Sequence, residues 1–291
     1  MVMATLTMDF TTASEAVIDV KSSALRRTVV GEAAICKCTI LYYLSTPEQF
    51  NSNSEPPEQM MLSGPRPRLE EFFRIVRIAW EFLNGFRKLH FAGPCVTVFG
   101  SARFQEDHKW YSLARQVGAE LGRRGFTVMT GGGPGIMEAA NRGAHEVNAP
   151  TIGCNIVLPH EQIENSYCDT TVWFRYFFIR KVMLVKYSYG FVVMPGGFGT
   201  LDELFEALTL VQTKTIDNFP IVLMGCEYWD ELFDFIDQRL VRDETISPQD
   251  RSLYRITDNP IEAADYISET ARRRFGLKYG EKVARRWWLF E

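Results

Sequence analysis

The sequence predicts an α/β protein, a doubly wound parallel sheet with helices on both faces, and three observations lead to this fold class. From Cys95 onward, short apolar runs alternate with segments of helical periodicity, as parallel strands and crossover helices do. The helical segments have the lengths expected of crossovers. Several apolar runs also end in glycine-bearing corners that lead into helical sequence. Together these features indicate a Rossmann-like domain.

Six strands and five intervening helices follow from this pattern. The predicted strands are residues 95–100, 126–130, 151–157, 170–174, 190–194 and 219–224. The predicted helices are residues 108–124, 135–147, 175–188, 200–213 and 228–241. In such sheets ligands bind beyond the carboxyl ends of the strands. The loops after strands one, two, four and five are therefore the informative ones.

The 291 residues are 46% hydrophobic and 23% charged, which suits one large core with appendages. Residues 1–66 lack sustained periodicity and are predicted to be disordered or loosely attached, with Thr46 to Pro67 as a solvated linker. Residues 67–275 form the Rossmann-like domain. The tail at 276–291 is either an oligomer contact or a solvated amphipathic end, and its composition favours the second.

A leading helix is predicted over Leu69 to Leu89, because apolar residues recur there at spacings of three and four. We expect this face to pack on the core. Its members are Phe72, Ile75, Val76, Ala79, Phe82, Leu83 and Phe86.

Composition also excludes several classes of protein. A formal net charge of -4 argues against binding to nucleic acid or to an anionic membrane. The six cysteines and four histidines are scattered, so neither a disulfide framework nor a metal site is indicated. The apolar stretch from Val29 to Leu44 is too short to span a bilayer and follows no basic region. We therefore expect a cytoplasmic protein whose partner is a small molecule.

The chain is organised around the segment from Val192 to Glu203, in which an apolar run turns on a glycine-rich corner into helical sequence. The glycines of this corner are Gly196, Gly197 and Gly199. They let the backbone approach a ligand, and the start of the following helix can bind an anion such as phosphate. Glu203 would lie on the first turn, beside that ligand. Alternatively, Thr200 and Glu203 form a capping box without any chemical role.

Two other strand exits carry glycine. The loop after strand one is Phe99 to Arg103, and it contains Ser101. The loop after strand two runs from Thr130 to Met137 and has glycine at four of five positions, which forms a nest of N–H groups at a helix start. Its glycines are Gly131, Gly132, Gly133 and Gly135. This loop suits a phosphate or a nucleobase edge. Alternatively, it is a tight strand-to-helix turn that needs positive φ, which accounts for one or two glycines but less easily for four.

Adjacent cations, Arg180 and Lys181, follow strand four near the start of an apolar helix. A helix start disfavours cations, so such a pair usually has an anionic partner or extends to solvent. If strands four and five are neighbours, Arg180 and Glu203 reach the same crevice and form a candidate site.

Two nucleotide-binding motifs are absent. Ile136 stands where the dinucleotide fingerprint needs its third glycine, and Asn155 near the end of strand three stands where that fingerprint needs an acid for the ribose. The sequence GxxxxGK[ST] of a P-loop does not occur either, which excludes a P-loop NTPase.

Three motifs in this order resemble the LOG ("lonely guy") family, the cytokinin riboside 5′-monophosphate phosphoribohydrolases, long named lysine decarboxylases. They are Gly132 to Met137, Arg180-Lys181, and Pro195 to Glu203, which matches PGGxGTxxE at every fixed position. The resemblance covers roughly residues 92–270. It implies a dimer or higher oligomer that hydrolyses the N-glycosidic bond of a nucleoside 5′-monophosphate without a metal or cofactor. It assigns catalysis to Arg180 and Glu203.

The resemblance also implies a set of substrate-binding residues. They are Ser101, Gly132, Gly133, Gly135, Met137, Glu161, Lys181, Gly196, Gly197, Gly199, Thr200 and Thr215. The chain departs from plant-type members before Arg180, where it has Phe177-Phe178-Ile179, and the segment around Glu161 resembles longer bacterial relatives.

Two rival functions stay open. A carrier of the same superfamily, such as a molybdenum-cofactor carrier, would need the glycines but not the pair of Arg180 and Glu203. A decarboxylase would need a lysine bound to pyridoxal phosphate, for which Lys181 and Lys186 are candidates only by being present.

Overall fold

Seven parallel strands in the order β4-β3-β2-β1-β5-β6-β7 make up the sheet of the computed structural model, which describes residues 57–158 and 165–275. The strands are β1 Cys95–Phe99, β2 Thr127–Thr130, β3 Thr151–Ile156, β4 Thr170–Phe174, β5 Ser188–Val193, β6 Ile221–Met224 and β7 Arg255–Thr257. The six predicted strands and the doubly wound fold class are confirmed. The seventh strand was not predicted, because three residues are too few to show a periodicity.

Eight α-helices are found in the described part of the chain. They are α1 Pro57–Leu62, α2 Arg68–Leu89, α3 Lys109–Arg123, α4 Ile136–Glu146, α5 Phe177–Tyr187, α6 Phe198–Gln212, α7 Cys226–Phe235 and α8 Pro260–Phe275. A π-helical turn over Ile236–Val241 continues α7, and a 3-10 helix over Pro248–Leu253 precedes β7. The six predicted helices are present, whereas α1 and α8 are additional.

Helices cover both faces of the sheet. Alternate strand residues point to opposite sides, and the apolar residues on each side pack against helices. Val96 and Val98 pack with α3, α4 and α8. Phe99 and Phe191 belong to the opposite cluster, to which α2, α5, α6 and α7 contribute. The five inner strands are therefore buried on both faces, as expected for a parallel sheet, whereas the edge strands β4 and β7 are partly exposed.

The strand order reverses beside β1. From β1 the chain winds outward through β2 and β3 to the edge strand β4, and α5 then crosses back to β5 on the other side of β1. The crevice at such a reversal is where doubly wound sheets bind ligands. Strands four and five are not neighbours, so that condition of the sequence analysis is wrong. The crossover itself carries Arg180 back toward the centre of the sheet.

The linker predicted over Thr46 to Pro67 is wrong at its end, where Pro57–Leu62 forms α1. Proline suits the first position of a helix and Glu58 suits its first turn, so the local sequence permits this helix. Residues 1–56, the tail at 276–291 and the predicted binding residue Glu161 lie outside the described residues. Within the described residues, no helix has the length and apolar character needed to cross a membrane.

The leading helix α2 packs on the core, but the contact face differs from the predicted stripe. Phe82 and Phe86 pack against the core cluster together with Ile78. Phe72, Ile75 and Leu83 are more than half exposed. The helix carries more apolar residues than one face can bury, and periodicity alone does not say which of two overlapping stripes meets the core. The outer stripe consists of Leu69, Phe72, Ile75, Trp80 and Leu83.

Candidate active site

Helix α6 begins at Phe198, and its N-cap is Gly197, which has no side chain to cap the helix. The backbone N–H of Thr200 donates to the carbonyl of Gly197 at 3.0 Å. Thr200 is thus the third helical residue and Glu203 the sixth, one turn beyond the position that a capping box requires. The capping-box interpretation of Glu203 is therefore wrong, as is the expectation that Glu203 lies in the first turn.

Glu203 faces Arg180 inside the protein. Its side chain is 4% exposed, and Oε1 lies 3.7 Å from Nη2 of Arg180. That distance exceeds a normal hydrogen bond, so the two groups form an ion pair and both keep capacity for a third group. Within the described residues, neither Glu203 Oε2 nor Arg180 Nε has a hydrogen-bond partner. Unsatisfied buried polar atoms in a native protein are typical of a functional site.

Burial shifts the pKa of both members of this pair. Loss of solvation raises the pKa of Glu203 to about 7, while Arg180 and Lys181 oppose the rise and Glu206 and Asp202 add to it. Burial lowers the pKa of Arg180, and Glu203 opposes that shift. Because a guanidinium starts from a very high pKa, Arg180 stays charged. Near neutral pH, Glu203 can therefore exchange a proton beside a fixed positive charge.

Lys181, the cation next to Arg180 in α5, is bound by α6. The Nζ of Lys181 lies 2.9 Å from Asp202 Oδ2 and 3.0 Å from Glu206 Oε2. Arg180 in turn lies over the ring of Phe177, with 5.4 Å from its guanidinium carbon to the ring centroid. Both cations thus have anionic partners, and the alternative in which they extend to solvent is wrong. Three ion pairs fix α5 against α6 beside the crevice.

The loops after β1 and β5 meet at the reversal of strand order. The backbone N–H of Ser101 donates to the carbonyl of Pro195, and the carbonyl of Ser101 accepts from Ile136, both at 3.0 Å. A methyl group on Gly196 would lie 2.1 Å from Oγ1 of Thr200. Gly135 has φ +70° and a methyl group there would lie 2.6 Å from the carbonyl oxygen of Ser101. The close backbone contacts at this junction require glycine.

The remaining glycines of the second loop surround Arg180 and Met137. A methyl group on Gly131 would lie 3.6 Å from Nη1 of Arg180 and 2.9 Å from Sδ of Met137, and one on Gly133 would lie 2.7 Å from Cε of Met137. Gly132 has φ +72° and faces Asn155 so closely that a methyl group would lie 1.4 Å from Oδ1. The structure therefore brings this loop and Arg180 into one site.

A buried polar network that the sequence analysis missed supports this loop. Oδ1 of Asn141 accepts from Thr130 Oγ1 at 2.6 Å and from Asn165 Nδ2 at 2.9 Å, and the N–H of Gly132 donates to Thr130 Oγ1 at 3.0 Å. Asn141 therefore ties the glycine loop to the loop after β3. Its signal in the sequence is an amide on the otherwise small, apolar face of α4, among Ala139, Ala140 and Ala144.

One predicted binding residue is not brought to the crevice. Thr215 follows the C-terminal end of α6, where its hydroxyl lies 3.0 Å from that of Thr213. A helix of 15 residues spans about 22 Å, so Thr215 lies at the opposite end from Gly197. Among the described residues, no group of three or more His, Cys, Asp or Glu side chains could hold a metal ion.

Fold and site together define a class: a doubly wound α/β protein with a buried carboxylate–guanidinium pair between glycine-rich strand exits. The resemblance to the LOG family, which the motifs predicted, is confirmed by comparison with known proteins. Residues 137–267 match the family described as possible lysine decarboxylase.

Two relatives are named for related activities. A probable cytokinin riboside 5′-monophosphate phosphoribohydrolase of Oryza sativa subsp. japonica is 33% identical over 162 residues, which are 54% of this chain and 65% of that protein. A pyrimidine/purine nucleotide 5′-monophosphate nucleosidase of Escherichia coli K12 is 28% identical over 220 residues, 71% of this chain and 47% of that protein. The chain thus spans less than two thirds of the length of either relative.

A solved structure is also similar. The molybdenum cofactor binding protein of Rippkaea orientalis is 20% identical, with a TM-score of 0.48 over 61% of this chain and 96% of that one.

Proposed function

We propose that this protein hydrolyses the N-glycosidic bond of a purine nucleoside 5′-monophosphate, of the AMP or cytokinin type, to the free base and ribose 5-phosphate. The observation that carries the proposal is the buried pair of Glu203 and Arg180 at the glycine-rich strand exits, with Arg180 beside Gly131. A site that only binds phosphate has no use for a carboxylate with a pKa of about 7. The names of the relatives, one a phosphoribohydrolase and one a nucleosidase, support the same reaction.

Glu203 is the residue that we assign to the reacting sugar carbon. Breaking an N-glycosidic bond develops positive charge on the ribose ring, and a carboxylate beneath the ring stabilises that charge. The electron pair of the C–N bond leaves with the base. Water supplies a hydroxyl group to the sugar carbon and loses a proton, and the departing base takes up one proton in return. A carboxylate of pKa about 7 can accept a proton from that water and release it again.

Arg180 and the glycine corner position the substrate. Arg180 orients Glu203 and the ribose hydroxyls, because its unpaired Nε and its 3.7 Å separation from Glu203 leave donors for a third group. Gly197, Gly199 and Thr200 bind the 5′-phosphate at the start of α6, where the first N–H groups have no intrahelical acceptor. Nucleoside monophosphates are metabolites of the cytoplasm, which is the compartment that we propose.

The test is a panel of nucleoside 5′-monophosphates and the matching nucleosides, with free base and ribose 5-phosphate measured by chromatography. We expect base release from AMP or an N6-substituted AMP, and little from the nucleosides, since the phosphate supplies much of the binding energy. Equal turnover of AMP and adenosine contradicts the phosphate anchor. Tight binding of nucleotides without any base release would instead favour a carrier.

We also propose that the protein forms a homodimer or a higher homo-oligomer. The outer stripe of α2 and the side chain of Phe198, which is 92% exposed, present apolar surface to solvent in the single chain. Contiguous exposed apolar patches usually mark interaction sites. Light scattering on the purified protein tests the proposal, with the double substitution Phe72→Ser and Ile75→Ser expected to shift the mass toward a single chain. A monomeric wild type contradicts it.

A further inference from the structure

We infer that two carboxylates from the leading helices, Glu81 of α2 and Glu58 of α1, are positioning residues for Arg180. They hold the N-terminus of α5 and thereby set the distance between Arg180 and Glu203. The inference deepens the proposed function and rests on it for the role of Arg180. Neither acid touches the reacting groups, so both would act through the helix that carries Arg180.

The start of α5 is bound by these two side chains. Oε1 of Glu81 accepts from the backbone N–H of Arg175 at 2.8 Å and from that of Tyr176 at 3.3 Å. Oε2 of Glu58 accepts from the N–H of Phe177 at 3.1 Å. Three successive N–H groups, which have no acceptor inside the helix, are thus satisfied by carboxylates from outside it. Glu81 is buried, at 6% exposure.

Helix α5 needs these anions because it supplies none itself. Its first turn contains no acidic residue and its N-cap Tyr176 makes no side-chain capping bond. Arg175, Arg180 and Lys181 place positive charge near the end of the helix that is already positive. Carboxylates at that end offset both effects. Burial raises the pKa of Glu81, whereas the two backbone N–H groups and the charges of Arg175 and Arg77 oppose that rise.

Arg180 lies within one turn of this capped end. Its backbone N–H donates to the carbonyl of Tyr176 at 3.2 Å, so a displaced helix start carries the guanidinium with it. Glu58 is also one of the carboxylates that raise the pKa of Arg180 against the effect of burial. Both acids precede residues 137–267, the part that matches the family. This chain therefore positions a family motif with side chains from its leading helices.

The test measures the titration of the Glu203 carboxyl by ¹³C NMR in the full-length protein, with the signal assigned by its loss in Glu203→Gln. Arg180 and Lys181 of α5 and Asp202 and Glu206 of α6 are the charged groups that act on Glu203. If Glu81→Ala moves Arg180 away, the midpoint near pH 7 should rise by about half to one unit, since a nearby cation lowers the pKa of a carboxyl. Glu81→Gln keeps an acceptor oxygen and should restore most of the wild-type midpoint.

Glu70→Ala is the matched control, because Glu70 is an exposed acid of the same helix. It should leave the midpoint unchanged. In the activity assay, Glu81→Ala should lower kcat about tenfold with little change in KM, because misplaced catalytic groups slow the reaction more than they weaken binding.

An unchanged Glu203 midpoint in Glu81→Ala overturns the inference, as does a fall in kcat without a shift of the midpoint. If Glu81→Ala does not fold, Glu58→Ala carries the same comparison, since Glu58 lies on a short outer helix. A wild-type protein that releases no base from any nucleotide defeats the proposed function alone. The titration still decides whether Glu81 and Glu58 position Arg180.

Discussion

At the scale of single residues, the chemistry of the candidate site depends on how burial changes the pKa of a carboxyl group. Glu203 is surrounded by protein on nearly all sides, and its charged form loses more solvation than the ion pair with Arg180 returns, so its pKa rises to about 7. A residue kept for stability alone would seldom be an acid in that place, because burying a charge destabilises the folded state. Glu203 therefore destabilises the folded protein, as expected of a residue kept for the proposed reaction.

The first prediction concerns this cost and its dependence on pH. The folded protein keeps the proton of Glu203 up to about pH 7, whereas the unfolded chain releases it near the ordinary glutamate pKa of 4.5. The stabilisation that the protonated carboxyl contributes is thus fully present below the pKa of Glu203 in the unfolded chain. It is lost as the pH rises through the pKa of Glu203 in the folded protein. Relative to Glu203→Gln, the wild type should lose about 2 kcal/mol of unfolding free energy between about pH 5.5 and about pH 8.5.

Urea denaturation of both proteins across this range measures the difference. A gap between wild type and Glu203→Gln that stays constant with pH would show that the carboxyl of Glu203 has an ordinary pKa. Arg180 is charged in both proteins throughout, so it cancels from the comparison.

At the scale of elements, periodicity predicted the strands and the crossover helices, because each buries a regular apolar pattern. It could not predict which stripe of α2 meets the core or that Pro57–Leu62 is helical. The packing of both helices depends on contacts with residues that are distant in the sequence. The glycine corners were recognisable because glycine has few other uses at a strand exit. The support from Asn141 was missed because its partners, Thr130 and Asn165, come together only in the fold.

The second prediction compares two glycines of the same corner. In Gly196→Ala the new methyl group would meet Thr200 Oγ1 at 2.1 Å and the backbone nitrogen of Ser101 at 3.0 Å, whereas Gly199→Ala meets nothing within 4 Å. We expect Gly196→Ala to destabilise the protein by about 1–3 kcal/mol, as overpacking does. Gly199→Ala should fold as stably as the wild type, since alanine favours a helix.

Thermal unfolding distinguishes the two variants, and isothermal titration calorimetry measures their affinity for a nucleoside monophosphate. Equal melting temperatures for the two alanine variants would contradict the close contact of Gly196 with Thr200 and Ser101.

At the scale of the whole molecule, the sheet and a crossover helix bring separate parts of the chain to one crevice. The sheet brings the loops after β1, β2 and β5 together, and the crossover α5 returns Arg180 from the edge strand to the centre. The sequence predicted Arg180 and Glu203 as partners from a wrong condition, that strands four and five are adjacent. The two residues nevertheless pair, because the crossover helix α5 spans several strands and returns Arg180 to Glu203. Thr215 shows the limit of residue-by-residue transfer, since α6 carries it away from the crevice.

The third prediction concerns where the domain begins. The sequence placed the boundary after residue 66, but Glu58 contacts the start of α5. A truncated protein that starts at residue 57 should keep the turnover of the full chain within about twofold, because the contacts of Glu58 survive. One that starts at residue 67 should be slower, because it lacks Glu58. Steady-state kinetics of both proteins measure the difference, and equal rates would return the boundary to residue 66.

The central claim is that Glu203 serves glycosidic cleavage and does not merely maintain the fold. The measurement that tests it most directly is base release from a nucleoside monophosphate by the wild type and Glu203→Gln, together with nucleotide affinity and melting temperature. A neutral amide cannot balance positive charge on the ribose or accept a proton, so turnover should fall about a hundredfold or more. Affinity should persist, since the glycine corner is unchanged. A Glu203→Gln protein that folds normally and releases base at the wild-type rate would contradict the account.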